Sequence, residues 1–128
     1  MHQVGEFSEK RLYGVIKVET GHLPGHINVL ARTSVDGSWI LLAGDSAHDW
    51  RILTGEKSFA CETDPATGHV LRYIIHRDMQ ATEENLARVR ALLQTARVQV
   101  LIAHDVPWYE ANKGGPAFLP GVIPPKLA

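Results

Sequence analysis

The sequence lacks several features that mark particular classes of protein. Its single cysteine, Cys61, cannot form an internal disulfide, so nothing calls for an oxidising compartment. Thirteen Lys and Arg residues against fourteen Asp and Glu give a formal net charge of -1, without the basic excess of a nucleic-acid binder. No apolar run reaches the roughly 18 residues that cross a membrane, and residues 1–11 contain no apolar signal segment. We therefore predict a cytoplasmic protein with neither a nucleic-acid partner nor a membrane partner.

The composition that is present fits one globular domain. The chain is 45% hydrophobic and 21% charged over 128 residues, which is ordinary for a single domain covering residues 1–128. We predict a polar lead-in over residues 1–11 and a tail rich in glycine and proline over residues 112–128. Histidine is frequent, with seven residues, and imidazole is both the commonest metal ligand and the proton carrier of physiological pH.

Hydrophobic patterning in the first third predicts three strands. Residues 12–19 are β-branched and alternate in polarity, which is typical of a strand that ends at a glycine-containing loop. Residues 27–32 and 39–43 are also apolar, and Asp36-Gly37 between them is a strong hairpin signal. We predict that these two strands pair in an antiparallel manner.

The rest of the chain predicts an α/β fold. Between residues 59 and 73 two weaker extended runs flank a D-P-A-T-G turn, although a short helix suits this composition nearly as well. Residues 78–96 carry an apolar stripe with acidic residues early and arginines late, which predicts a helix. Residues 98–103 are almost wholly apolar, as in a strand covered on both faces. From residue 112 onward we expect an irregular tail packed over the surface.

Three candidate metal ligands follow predicted strands. His22 comes after the first strand, Asp45 after W-I-L-L-A-G, and His104 after V-Q-V-L-I-A. Side chains at strand ends are held rigidly yet face the loops where substrates enter. Two imidazoles and one carboxylate are a donor set that suits zinc.

These motifs carry a family resemblance. T-G-H-L-P-G-H, A-G-D-S-A-H and L-I-A-H-D, in this order and each after a strand, resemble the second half of a metallo-β-lactamase-fold hydrolase of the N-acyl-homoserine-lactonase type. The resemblance runs from about residue 12 to the C-terminus. It implies an αββα sandwich, of which this chain forms one sheet with a flanking helix or helices.

The resemblance also implies a role for each site residue. His22 binds a first zinc ion, Asp45 bridges two, and His104 binds the second; paired metals activate water and polarise a carbonyl. The implied substrate is a lactone or another ester. Asp45 and His48 are the implied catalytic residues, and His48 stands where lactonases of this type commonly have a tyrosine that hydrogen-bonds the substrate.

The sequence departs from the family in one respect. The motif H-x-H-x-D-H, which supplies further metal ligands, does not occur in it. We therefore expect half of a metal site and an exposed apolar sheet face, which a homodimer or a complementing N-terminal half would cover. The alternative is a catalytically inert binding or assembly module derived from the same fold.

Other residues have simpler interpretations. We expect His26 to support the metal site without binding metal, and His69 and His76 to face solvent. Asp49 is predicted to cap a helix. Asp105 either orients His104 or begins the next turn.

The remaining predictions concern three aromatic side chains and the cysteine. Trp108, Tyr109 and Phe118 line an acyl-chain pocket or, more simply, fill the core. Cys61 has no basic neighbour in sequence and is expected to be a half-buried apolar residue.

Overall fold

The computed structural model describes residues 14–19 and 21–128 of the chain. The predicted lead-in over residues 1–11 and the start of the first predicted strand lie outside the described residues. The elements in chain order are β1 (Gly14–Glu19), β2 (His26–Arg32), β3 (Trp39–Leu42), a short 3-10 turn (Gly44–Ser46), α1 (Trp50–Thr54), β4 (Cys61–Thr63), β5 (Val70–Tyr73), α2 (Met79–Leu93), β6 (Val98–Leu101) and α3 (Val106–Asn112).

Four of the strands form one mixed sheet in the order β1-β2-β3-β6. β1 pairs with β2 and β2 with β3 in an antiparallel manner, whereas β3 and β6 are parallel. The parallel connection from β3 to β6 includes α1, the β4–β5 hairpin and α2. The α/β class predicted from the sequence is therefore confirmed.

The predicted hairpins are both present. β2 and β3 are joined by a turn in which Gly37 has a φ of 98°, a conformation that favours glycine. β4 and β5 pair around the D-P-A-T-G segment, so the hairpin there is confirmed over the short helix. Among the turn residues, Asp64 accepts a hydrogen bond from the Ala66 amide at 2.7 Å.

The long helix α2 ends earlier than predicted. Asp78 caps its N-terminus by accepting from the Ala81 amide at 3.0 Å, and the helix ends at Leu93 rather than near residue 96. Arg97, just beyond, has a φ of 64°, which is incompatible with continuing the helix. None of the helices in the described part of the chain combines the length and the apolar character that crossing a membrane requires.

Strand β6 differs from the prediction that both of its faces are covered. Val98 and Val100 are buried, whereas Gln99 and Leu101 are half-buried, so the two faces differ. The physical reason is that, among the described strands, β6 pairs only with β3 and lies at the end of the sheet. An apolar run alone does not distinguish a covered strand from one at an edge.

The tail is irregular, as predicted, after the short helix α3. Residues 113–128 contain no helix or strand but contact the sheet. Lys126 Nζ donates to the Val98 carbonyl oxygen at 3.1 Å, and Ser38 Oγ donates to the Lys126 carbonyl oxygen at 2.7 Å. The second half of the predicted tail thus packs beside β6.

The core lies between one face of the sheet and the helices. Leu41 of β3 and Val100 of β6 stand opposite each other in register and pack against Leu86 and Val89 of α2, with Leu53 of α1 alongside. All five side chains are buried. This packing fixes α2, and with it the residues that precede the helix, against the sheet.

Truncating the core should therefore destabilise the fold. Leu86→Ala, at a fully buried position, is expected to lower the free energy of unfolding by about 2–5 kcal/mol through lost burial and a residual cavity. Leu119→Ala, at a position 95% exposed, is the matched control and should change it by less than about 0.5 kcal/mol. Urea unfolding of both variants measures this, and equal effects would contradict the assignment of the core.

Candidate metal centre

The sheet topology gathers the candidate ligands at one edge. Because β2 is antiparallel to both of its neighbours and β6 is parallel to β3, strands β1, β3 and β6 run in the same direction. Their C-terminal ends therefore meet at one edge of the sheet. His22, Asp45 and His104 follow these three strand ends, in the places where the sequence predicts them.

The Asp45 carboxylate is at the centre of the group. His22 Nε2 lies 3.8 Å from Asp45 Oδ2, and His104 Nε2 lies 2.9 Å from Asp45 Oδ1. His48 Nε2 approaches Oδ1 as well, at 3.6 Å. His22, Asp45 and His48 offer donor atoms that all lie within 4.8 Å of one another. The structure thus brings together all four site residues singled out from the sequence.

Some buried polar atoms of this group lack a hydrogen-bond partner among the described residues. Asp45 Oδ1 and His22 Nδ1 are buried and have no hydrogen-bond partner among the described residues, although imidazole nitrogens lie close to the carboxylate. Two ligands of one tetrahedral zinc ion at about 2.1 Å are about 3.4 Å apart. The separations of 3.6 and 3.8 Å between Asp45 and its two nearest partly buried histidines are close to that value. Two or three imidazoles and one carboxylate are therefore a donor set that fits zinc.

His26 holds the aspartate loop in place. Its Nε2 accepts a hydrogen bond from the Asp45 amide at 2.9 Å, which is the supporting role that the sequence predicts. Gly44 allows this contact, because a β-carbon there would lie 2.7 Å from His26 Nε2 and the residue has a φ of 50°.

A buried amide and hydroxyl network lies beside the aspartate loop. Asn28 Nδ2 donates to Asn85 Oδ1 at 3.1 Å, Asn85 Nδ2 donates to Ser46 Oγ at 2.8 Å, and Ser46 Oγ donates to Asn28 Oδ1 at 3.0 Å. The network ties β2 and α2 to the residue after Asp45. Sequence reasoning missed this network. The signal that could have indicated it was a polar residue within the apolar pattern of β2 and another within that of α2.

His76 is buried, so the prediction that it faces solvent is wrong. It is 4% exposed, and its ring packs against those of His22, His48 and Phe59. Burial, together with the neighbouring imidazoles of His22 and His48, lowers the pKa of His76 to about 4. The neutral imidazole is therefore the form present at pH 7. His69, by contrast, is exposed as predicted.

A cleft of about 290 Å³ opens beside the group. His48 and His76 line it together with Ile52, Lys57 and Phe59. Burial lowers the pKa of His48, so this imidazole is also neutral at pH 7 and can donate or accept one hydrogen bond at the cleft wall.

The two other aspartates have structural roles. Asp105 Oδ1 accepts from the Trp108 amide at 2.9 Å and Oδ2 accepts from Trp50 Nε1, so of its two predicted roles it begins the next element, α3. Asp49 caps α1 by accepting from the Arg51 amide at 2.9 Å, as predicted. The Arg51 guanidinium holds the pKa of Asp49 well below its usual range.

The aromatic residues near the C-terminus are not in the cleft. Trp108 and Tyr109 pack against Phe118 with ring centroids 6.1 and 6.0 Å away, and Tyr109 and Phe118 are exposed. They neither line the cleft beside His48 nor belong to the core, so neither predicted role is supported. Cys61 is half-buried, as expected.

Comparison with known proteins does not assign the chain. No protein-family model, curated protein or solved structure matches it. The metallo-β-lactamase resemblance therefore stays a prediction based on three short motifs.

Removing one member of the buried network should destabilise the fold. Asn85→Ala leaves the polar groups of Asn28 and Ser46 without this partner, which is expected to lower the free energy of unfolding by about 2 kcal/mol. Gln80→Ala, an exposed amide on the same helix, is the control and should change it by less than about 0.5 kcal/mol. Chemical denaturation of the two variants compares them, and a neutral Asn85→Ala would show that the network does not hold the loop.

Proposed function

We propose that the chain is a metal-dependent hydrolase of the metallo-β-lactamase type, that it cleaves lactones or related esters, and that His22, Asp45 and His104 bind its zinc ions. The observation that carries this proposal is the meeting of these three side chains at one sheet edge. They are 23 and 59 residues apart along the chain, so only the fold brings them together. Their order matches that of the family ligands on which the resemblance depends.

The orientation of the carboxylate supports a bridging role. Asp45 presents Oδ2 to His22 and Oδ1 to His104, so its two oxygens face two different imidazoles. A carboxylate that joins two metals offers one oxygen to each. The role that the resemblance implies for Asp45 is therefore compatible with the positions of its neighbours.

The surface of the sheet supports the proposed sandwich. Val29, Leu42 and Leu101 stand opposite one another in register on the face that points away from the core. Leu42 is 43% exposed, and so is Ile27 on the same face. We infer that a second layer covers this face in the working protein, supplied by a second copy or by a complementing N-terminal half that carries H-x-H-x-D-H.

The chemistry divides between the cation and the chain. Zinc bound here would supply a Lewis acid that polarises the carbonyl and lowers the pKa of water. Asp45 would hold the cation, and His26 fixes the Asp45 backbone so that the carboxylate does not turn away. The neutral His48 ring at the cleft wall donates a hydrogen bond to the substrate oxygen, in the place of the family tyrosine.

The cleft suits a small ester with an apolar part. Ile52 and Phe59 offer apolar surface near His48, and Lys57 adds a cation at the rim. Lys57 Nζ lies 3.6 Å from Asp49 Oδ2, so its charge is partly balanced. A neutral lactone with an acyl group is therefore a better match than a highly charged substrate.

A second candidate function is an inert binding or assembly module. Apolar side chains of the β4–β5 hairpin and the segment after it are exposed, with Leu71 at 65% and Ile74 at 60%. Such a surface favours association with another polypeptide. This candidate requires no metal, so metal binding discriminates between the two.

Zinc titration of paired aspartate variants tests the proposal. Asp45→Asn preserves the shape of the side chain but removes the charge, and we expect zinc affinity to fall at least about 100-fold with loss of lactone hydrolysis. Asp49→Asn, four residues away, retains a good helix cap and should bind zinc within about threefold of the unchanged chain. Calorimetry with zinc and titration of released acid measure both, and equal zinc binding by the two variants would exclude Asp45 as a ligand.

A further inference from the structure

His76 is the buried polar side chain that the proposed function leaves unexplained. It precedes α2, is 4% exposed, and neither of its ring nitrogens has a hydrogen-bond partner among the described residues. A buried polar group without a partner costs about 1–3 kcal/mol. A ligand that engages one of these nitrogens would remove part of that cost.

The ring centroids of His22, His48 and His76 form a nearly equilateral triangle. The ring centroids of His22 and His76 are 5.1 Å apart, those of His22 and His48 are 5.3 Å apart, and those of His48 and His76 are 5.7 Å apart. Three imidazoles bound to one tetrahedral zinc ion have centroids about 5 Å apart, given Zn–N bonds of about 2.1 Å. The spacing of these three rings is close to that value.

We propose that His76 is a further nitrogen ligand of the cation that His22 and Asp45 bind. His48 joins this site through Nε2, which faces Asp45, and keeps its other ring nitrogen for the substrate, so that one chain supplies a site of three histidines and one carboxylate. This inference rests on the proposed metal-dependent function and adds a ligand to it. The donor atoms of His22, Asp45 and His48 already lie within 4.8 Å of one another. His76 is not in that group, and its ring meets the His22 ring edge-on at 66°, so binding through it requires the imidazole to turn about its side-chain bonds.

The backbone ties His76 to this position. The Arg77 and Asp78 amides donate to the Gly21 carbonyl oxygen at 3.0 and 3.1 Å, so the residues after His76 are joined to the residue before His22. A β-carbon on Gly21 would lie 2.5 Å from the Thr82 amide nitrogen, so the close approach of α2 to this loop requires glycine. The two histidines are therefore held together by the main chain.

The residues packed around His76 offer its ring few hydrogen-bond partners. The Phe59 ring packs against it with centroids 4.6 Å apart and offers it no conventional hydrogen-bond acceptor. Because neither ring nitrogen of His76 has a hydrogen-bond partner among the described residues, an imidazole lone pair can be offered to a metal. Because His76 and His48 both line the cleft, a cation between them lies at the cleft wall, where a substrate oxygen would be a fifth ligand.

Glutamine variants at three histidines test the inference in the full chain. His76→Gln should weaken zinc binding at least about tenfold and reduce the visible absorption of the cobalt(II) form, because the tetrahedral site loses a nitrogen. His69→Gln, at an exposed histidine of the β4–β5 hairpin, should alter neither. His22→Gln reports on the proposed function itself. If His22→Gln abolishes binding while His76→Gln matches the unchanged chain, the inference falls and the function stands; if neither changes binding, both fall.

A measurement on the unchanged chain removes any dependence on how the variants fold. Nitrogen-15 NMR of the histidine rings during a zinc titration follows each imidazole separately. We expect one ring nitrogen of His76 to move to the shift of a metal-bound nitrogen at one equivalent of zinc, together with those of His22 and His48. A His76 signal that stays at its metal-free position while the other two move would overturn the inference.

Discussion

The shared direction of three strands is the constraint on which the site depends. β1, β3 and β6 all end at the same edge of the sheet. This is because β2 runs antiparallel to both β1 and β3, and the long connection through α2 makes β6 parallel to β3. Each of these strand ends is followed by one donor side chain. A sheet in which one of these strands ran in the opposite direction would place its donor at the other edge, even though the sequence motifs were unchanged.

Bringing these donor side chains together costs free energy, which packing elsewhere in the molecule offsets. Placing several imidazoles and a carboxylate together removes polar atoms from water without giving all of them partners within the described residues. The core beneath, in which Leu41, Leu86 and Val100 are buried, holds the strands and α2 in position against this cost. The hydrogen-bond network of Asn28, Ser46 and Asn85 adds directional contacts where the aspartate loop meets the core, so rigid elements hold the loop in place.

Much of the fold could be predicted because its signals are local. The Asp36-Gly37 turn and the apolar stripe of α2 depend on neighbours in sequence, and each is present. The positions of His22, Asp45 and His104 could also be predicted, because a residue that follows a strand must lie at its end. The predictions of where α2 ends and of how β6 is covered were less accurate, because both depend on which elements pack against them.

His76 could not be found in this way because its burial is entirely tertiary. It lies in an irregular segment between β5 and α2, and no periodicity there indicates which way its side chain points. Hydrogen bonds from Arg77 and Asp78 to Gly21, more than fifty residues away in sequence, determine its place. The roles of Asn28 and Asn85 could not be predicted for the same reason. The role of a single polar residue in an apolar pattern is clear only when its hydrogen-bond partner is known.

X-ray absorption at the zinc edge of the purified, zinc-loaded chain tests the central claim most directly. If the three strand ends deliver their side chains to bound zinc, the spectrum should show four or five nitrogen and oxygen neighbours at about 2.0–2.1 Å, with the outer-shell scattering of at least two imidazoles. A hydrated ion with oxygen neighbours alone, or a sulfur neighbour at about 2.3 Å from Cys61, would show that the histidines and Asp45 do not form a metal centre.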